Sequence, residues 1–155
     1  HPWRRDKLRD GDRCPLRRYL HALRTPARAT GRIFWGRVSL LAVLLSVGPD
    51  RGTLPLRALE TIEAALSRGY AVFCFLYEDG VLLANGRRDI PQGETDPSQL
   101  LETLAQHQHC DVVACITAAE RRGVTQDSFI SNVRVGGLGE WTEQLQTADR
   151  AVQFR

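Results

Sequence analysis

The chain of 155 residues contains no methionine and starts on His1, the pattern expected of a processed or truncated product. It has no apolar stretch long enough to cross a bilayer: Val38–Val47 is ten residues, where about 20 are needed. No Cys-x-x-Cys pair occurs, since the four cysteines stand at 14, 74, 110 and 115. That excludes a simple dithiol redox motif, and a chain this long has no need of disulfide staples. Cysteine usage therefore fits the reducing cytoplasm. Internal repeats are absent, and so is any low-complexity tract beyond an Arg-rich start, which excludes a solenoid.

What is present begins with an uneven charge. Residues 1–36 hold ten Arg or Lys against three Asp, a balance of +7, and residues 37–155 hold eleven against fifteen, a balance of −4. The mildly acidic remainder argues against a broad nucleic-acid-binding face on it. Residues 1–36 are read as a poorly ordered or weakly docked extension, and 37–155 as one domain. Within the extension, Leu16, Tyr19, Leu20 and Leu23 share a helical face. A basic amphipathic helix for a membrane surface, an acidic partner or RNA is the sharper alternative there. At barely two turns it would be marginal on its own.

The apolar run Val38–Val47 has an Arg before it and a small residue near its end, as a secretory signal would. It starts far from residue 1 and leads into the loop Gly48-Pro49-Asp50, so it reads as a first strand buried on both faces. Leu56, Leu59, Ile62 and Leu66 then have helical spacing, with Thr53 as cap, Pro55 in the first turn and Gly69 as stop. Tyr70–Tyr77 is a second strand and Glu78-Asp79-Gly80 a turn. A helix follows on Leu100, Leu101 and Leu104. Val133–Val135 is left open between strand and loop. Leu138, Trp141 and Leu145 mark a last helix, and Arg150–Phe154 a last strand. Such alternation predicts a three-layer α/β/α fold with a mostly parallel sheet of about five strands, flavodoxin-like in its layering.

Asp111–Val124 holds the candidate chemistry. Val112–Ala114 reads as a buried strand, with Cys115 at its end. Thr117 and Glu120 have capping-box spacing, so a helix is expected to start at Thr117 and stop at Gly123. A thiol between strand end and helix start lies where open α/β sheets collect ligands, and a helix start favours the thiolate there. Arg121 and Arg122, one turn on, are candidate electrostatic support. His107 and His109 precede the strand and fall roughly 15–20 Å from its far edge at the rise of a strand. A Cys–His hydrolase is thereby disfavoured. His107, His109 and Cys110 lack the spacing of a zinc motif, and Gly136–Gly139 lacks the Lys-Ser/Thr of a phosphate loop. Neither a metal nor a cofactor is expected. By position alone, an inert buried Cys115 stays an open alternative.

Four stretches carry a resemblance. They are the first strand with Gly48-Pro49; Tyr77-Glu78-Asp79-Gly80-Val81 with Ala84-Asn85; Cys115 with Ala118-Ala119 and Arg121-Arg122-Gly123-Val124; and Gly137-Leu138-Gly139 with Asp149-Arg150 and Phe154. In this order and at these intervals the chain from about Arg37 to Phe154 resembles the DsrE/DsrF-like sulfurtransferase family, with Asp79 as an inserted or shifted position. The resemblance implies that Cys115 carries sulfane sulfur as a persulfide. It implies related small subunits in a hetero-oligomer, a donor and an acceptor carrier protein, and a relay ending in wobble-uridine 2-thiolation, with tRNA met only indirectly and no membrane. Sulfur trafficking in sulfur oxidation is the alternative destination. Sulfur exchange proceeds by attack on sulfur and needs no acid–base pair on carbon. A relay thiol is expected to be exposed in a shallow, protein-facing site. Two other classes remain, a non-catalytic subunit of such an assembly and a flavodoxin-like nucleotide or flavin binder.

Overall fold

The computed structural model describes residues 38–155. The expectations for residues 1–36, with the Leu16–Leu23 segment and Cys14, lie outside them.

Five strands form one parallel sheet in the order β4-β3-β2-β1-β5. They are β1 Leu40–Leu45, β2 Ala71–Leu76, β3 Cys110–Cys115, β4 Val133–Gly136 and β5 Arg150–Phe154. The apolar run once open to a signal reading is thus a strand inside the sheet, hydrogen-bonded to β2 on one side and β5 on the other. Near-continuous Leu, Val and Phe in β1 and β2 follow from burial on both faces. The open stretch at Val133 pairs with β3 as the edge strand β4. Its short, half-exposed run gave the sequence little to show.

Strand alternation sorts the sheet into two faces. Val72, Cys74 and Leu76 share one face with Val112 and Ala114, by the register Cys74↔Val112. Helices α1, Leu54–Ser67, and α2, Pro97–Ala105, pack together with Leu59, Ile62, Leu101 and Leu104 buried. Asp96 caps α2, accepting from Ser98 N at 2.9 Å. Phe73 and Phe75 point to the opposite face, where Trp141 of α4, Leu138–Thr147, stacks on both rings at 6.4 and 6.1 Å. Helices on both faces complete the three layers. Each fully buried Phe, Leu or Ile contributes about 1.5–3 kcal/mol.

Two local expectations change. The turn at Glu78 is longer than the sequence suggested: Glu78–Ala84 winds as a 3₁₀ helix. Glu78 enters it at φ +48°. Gly80 lets this segment lie against β1, because a Cβ there would sit 1.9 Å from the Leu45 carbonyl oxygen. The second change concerns α3, Ile116–Glu120, the helix after β3.

Candidate functional site

Cys115 is the last residue of β3 and also the N-cap of α3, Ile116–Glu120, with extended φ −61° and ψ 118°. The capping box expected of Thr117 and Glu120 does not form. An N-cap must be extended while its carbonyl enters the helix, and Cys115 already holds that place. Thr117 lies within the helix, its carbonyl accepting from Arg121 N at 3.1 Å. Both Thr117 and Glu120 are exposed. The helix ends at Glu120, before the expected stop at Gly123, which closes the following turn with φ +66°. Helix and strand thus meet at the thiol-bearing residue itself, two positions earlier than expected. The backbone N–H groups of Ile116, Thr117 and Ala118, in the first turn, have no acceptor within α3.

The two arginines do different things. Arg122 donates from Nε to Asp79 Oδ1 at 2.8 Å and from Nη1 to the Ala118 carbonyl at 3.2 Å. It braces α3 against the 3₁₀ helix, and its charge is met by Asp79. Arg121 is exposed and has no carboxylate partner among the described residues.

The thiol is less open than a relay was expected to need. Cys115 is 4% exposed in the isolated chain, while its neighbour Ile116 is 44% exposed. Alternation places its side chain on the face of Val113 and Phe75, the face over which α4 lies. An apolar cavity of about 380 Å³ lies beside it, lined by Ile116, Ala119, Val124, Phe129 and Val135 among others, but Cys115 is not in the lining. A second, polar cleft of about 450 Å³ lies around Arg88, Asp96 and Ser98, away from β3.

Cys74 and Cys110 belong to the core. Burial pushes the Cys74 thiol well up, aided by Cys110 and Asp111. Cys110 is pushed up to about 12, by burial first and Asp111 second. Both are expected to resist iodoacetamide at pH 8 in the folded chain and to react once it is unfolded, read by peptide mass mapping. The raised Cys110 also sets a sign. Above its ordinary value of 9.0, the unfolded chain loses that proton and the folded chain keeps it. Stability is therefore fully held below that value and falls as pH rises toward 12. Urea titrations of Cys110→Ala should show a shallower alkaline loss than those of the parent chain.

His107 and His109 stand at the opposite edge of the sheet, where the His109 carbonyl accepts from Val72 N at 2.8 Å. Burial and the neighbouring His109 hold His107 below its ordinary value. Among the described residues no three His, Cys, Asp or Glu side chains gather in a way that could hold a metal. The Gly136–Gly139 run is the end of β4, the N-cap Gly137 and the first turn of α4.

Sequence reasoning passed over the residues on the Cys115 row of the sheet. Cys115 pairs in register with Gly136. A Cβ on Gly136 would fall 2.4 Å from Glu140 Oε2 and 2.5 Å from Val113 Cγ1. The carboxylate of Glu140 therefore fills the space a side chain at 136 would take. Arg134 holds it there. Its guanidinium donates to Asp111 at 3.0 and 2.7 Å, and to both oxygens of Glu140, one of them at 3.1 Å. These two carboxylates raise the Arg134 guanidinium still further above its ordinary value. The available signal was a glycine at a strand end followed four residues later by an acid, which is too common to single out.

A parallel α/β sheet with a thiol at the carboxyl edge of an inner strand, and among the described residues no His beside it, is suited to sulfur exchange. Residues 40–154 match the DsrE/DsrF-like family, and the chain belongs to that family. It is 30% identical over 125 residues to the putative sulfurtransferase DsrE of Allochromatium vinosum, covering 73% of this chain and 96% of the relative. It is 33% identical over 118 residues to the sulfurtransferase TusD homolog of Pseudomonas aeruginosa, covering 68% and 90%. Sulfur transfer is the activity class it shares with these relatives. Among solved structures, the ychN protein from E. coli shares the fold, with a TM-score of 0.64 at 23% identity, covering 76% of this chain and all of that one.

Proposed function

We propose that the chain is a sulfur-relay protein in which Cys115 accepts sulfane sulfur as a persulfide and hands it to the thiol of a carrier protein. The observation that carries this reading is placement. Of the described cysteines, Cys74 and Cys110 lie in mid-strand or at the amino edge, and Cys115 lies at the carboxyl edge, where β3 turns into α3. Family membership and relatives named sulfurtransferase TusD support it. Two exposed apolar residues, Ile116 and Leu138, follow the ends of β3 and β4, and such residues suit a protein partner better than water. Since the thiol is buried, hand-on requires the five-residue α3 to shift when a partner docks.

The finer reading follows the TusD relatives. The chain works in the cytoplasm with related small subunits in a hetero-oligomer. It takes sulfur from one carrier and gives it to another, and the relay ends in 2-thiolation of the tRNA wobble uridine. No helix among the described residues is long and apolar enough to cross a membrane. The test is to incubate the chain with a persulfide donor and locate the added sulfur by peptide mass mapping. The mass of one sulfur on the Cys115 peptide is expected. Sulfur on Cys74 or Cys110, or on none, overturns the reading.

A further inference from the structure

We propose that Glu140 takes the proton of the Cys115 thiol during sulfur exchange and returns it to the departing thiol. This rests on Cys115 as the sulfur carrier and adds a second working residue to that site. Three observations converge. Gly136 and Cys115 are register partners with side-chain directions on one face. The Glu140 carboxylate oxygen stands 2.4 Å from where a Gly136 Cβ would be. Neighbouring strands lie ~4.8 Å apart, so the carboxylate stands about one strand spacing from the Cys115 side chain; no hydrogen bond joins the two, and the proton passes through one bridging water. It is also held in place, because Arg134 grips it while itself gripped by Asp111.

A thiol that is 4% exposed has little bulk water to receive its proton, so a fixed acceptor beside it supplies what burial removes. A lone carboxylate would repel the sulfur anion it helps to form. Arg134, shared between Asp111 and Glu140, offsets part of that repulsion.

The step balances. Cys115 sulfur attacks the outer sulfur of a donor R–S–SH, its proton passing to Glu140. The donor S–S bond breaks, and R–S⁻ leaves and takes the proton back from Glu140. Cys115–S–SH and R–SH result, with no external oxidant or reductant. The other charged or titratable groups at this edge are Tyr77 at the end of β2, Asp79 paired with Arg122, and Glu120 and Arg121 on α3, while Arg134 and Asp111 reach Glu140 from further back along β4 and β3. None of these is placed on the Gly136 position as Glu140 is.

The experiment uses the full chain and two readouts on Cys115, sulfur loading from a persulfide donor and alkylation by iodoacetamide, each followed from pH 6 to pH 10. Glu140→Gln keeps the shape and removes the proton acceptor. Both rates are expected to fall roughly tenfold to a hundredfold near neutral pH and to converge on the parent rates at high pH. Glu140→Asp, which keeps a carboxylate, is expected to recover part of the loss and serves also if the Gln variant folds poorly. Coincident profiles, faster reaction in the Gln variant, or equal losses in Gln and Asp overturn the proposal. The two readings fail separately. If the parent chain takes up no sulfur while the alkylation profile still shifts, the relay falls and the proton role stands. If sulfur loads normally and the profiles coincide, the relay stands and this role falls.

Discussion

Cys115→Ser is expected to abolish sulfur loading, a loss of at least about a thousandfold in the rate of labelled-sulfur uptake, with the fold retained. The reason is chemical before it is structural. A persulfide is a sulfur–sulfur bond, and a serine oxygen at neutral pH is neither a nucleophile toward sulfane sulfur nor able to hold it. Neither remaining cysteine of the sheet can stand in. Cys74 is fully buried between strands, and Cys110 lies at the opposite end of β3 with its thiol pushed up to about 12. The structural cost is bounded too. Ser is close to Cys in volume, but its hydroxyl replaces a weakly polar group at a site 4% exposed, which costs about 1–3 kcal/mol if it goes unpaired. Urea unfolding of the variant separates the two effects. A variant that unfolds at nearly the parental midpoint yet carries no sulfur isolates the chemistry. One that still loads sulfur, at any cysteine, removes Cys115 from the role.

The sequence carried the sheet's inner strands and the location of the thiol. Runs such as Leu40–Leu45 and Ala71–Leu76 are buried on both faces, and such runs have few other places to go in a chain of this size. The edge was harder to read. β4 is four half-exposed residues, and its pairing with β3 depends on tertiary contacts that no local pattern encodes. The helix start at Cys115 was misplaced for a related reason. The Thr117 to Glu120 spacing is a local signal for a cap, but the end of β3 delivers the chain to the helix already extended at Cys115, and the sheet outweighs the local preference. Arg122 was read as support for the thiol, and its carboxylate, Asp79, is 43 residues away in the chain. Glu140 was missed because its meaning lies in the register of Gly136 against Cys115, which only the paired strands reveal.

Gly80→Ala is expected to destabilise the chain by about 3 kcal/mol or more, at the upper end for an added methyl group. The added Cβ would lie 1.9 Å from the Leu45 carbonyl oxygen, 2.8 Å from its carbon and 3.4 Å from Ser46 Cα. All three are backbone atoms of β1 and its exit. A flexible side-chain tip would swing aside, but this carbonyl already accepts from Tyr77 N at 3.0 Å. To relieve the clash the whole 3₁₀ helix Glu78–Ala84 must lift away from the sheet. That helix holds Val81, Leu83 and Ala84 in the core and, through Asp79, the Arg122 brace of α3. The loss should therefore appear twice, as a fall in the thermal midpoint of ~10 °C or more and as faster alkylation of Cys115 below the transition, since α3 loses its anchor. Gly139→Ala is the matched control. A Cβ there meets nothing within 4 Å, and the position lies in the first turn of α4. Replacing glycine by alanine in a helix is expected to stabilise by about 0.5–1 kcal/mol. If Gly80→Ala unfolds at the same urea concentration as Gly139→Ala, the 3₁₀ helix does not seat against Leu45 as described, and the brace behind the thiol is lost with it.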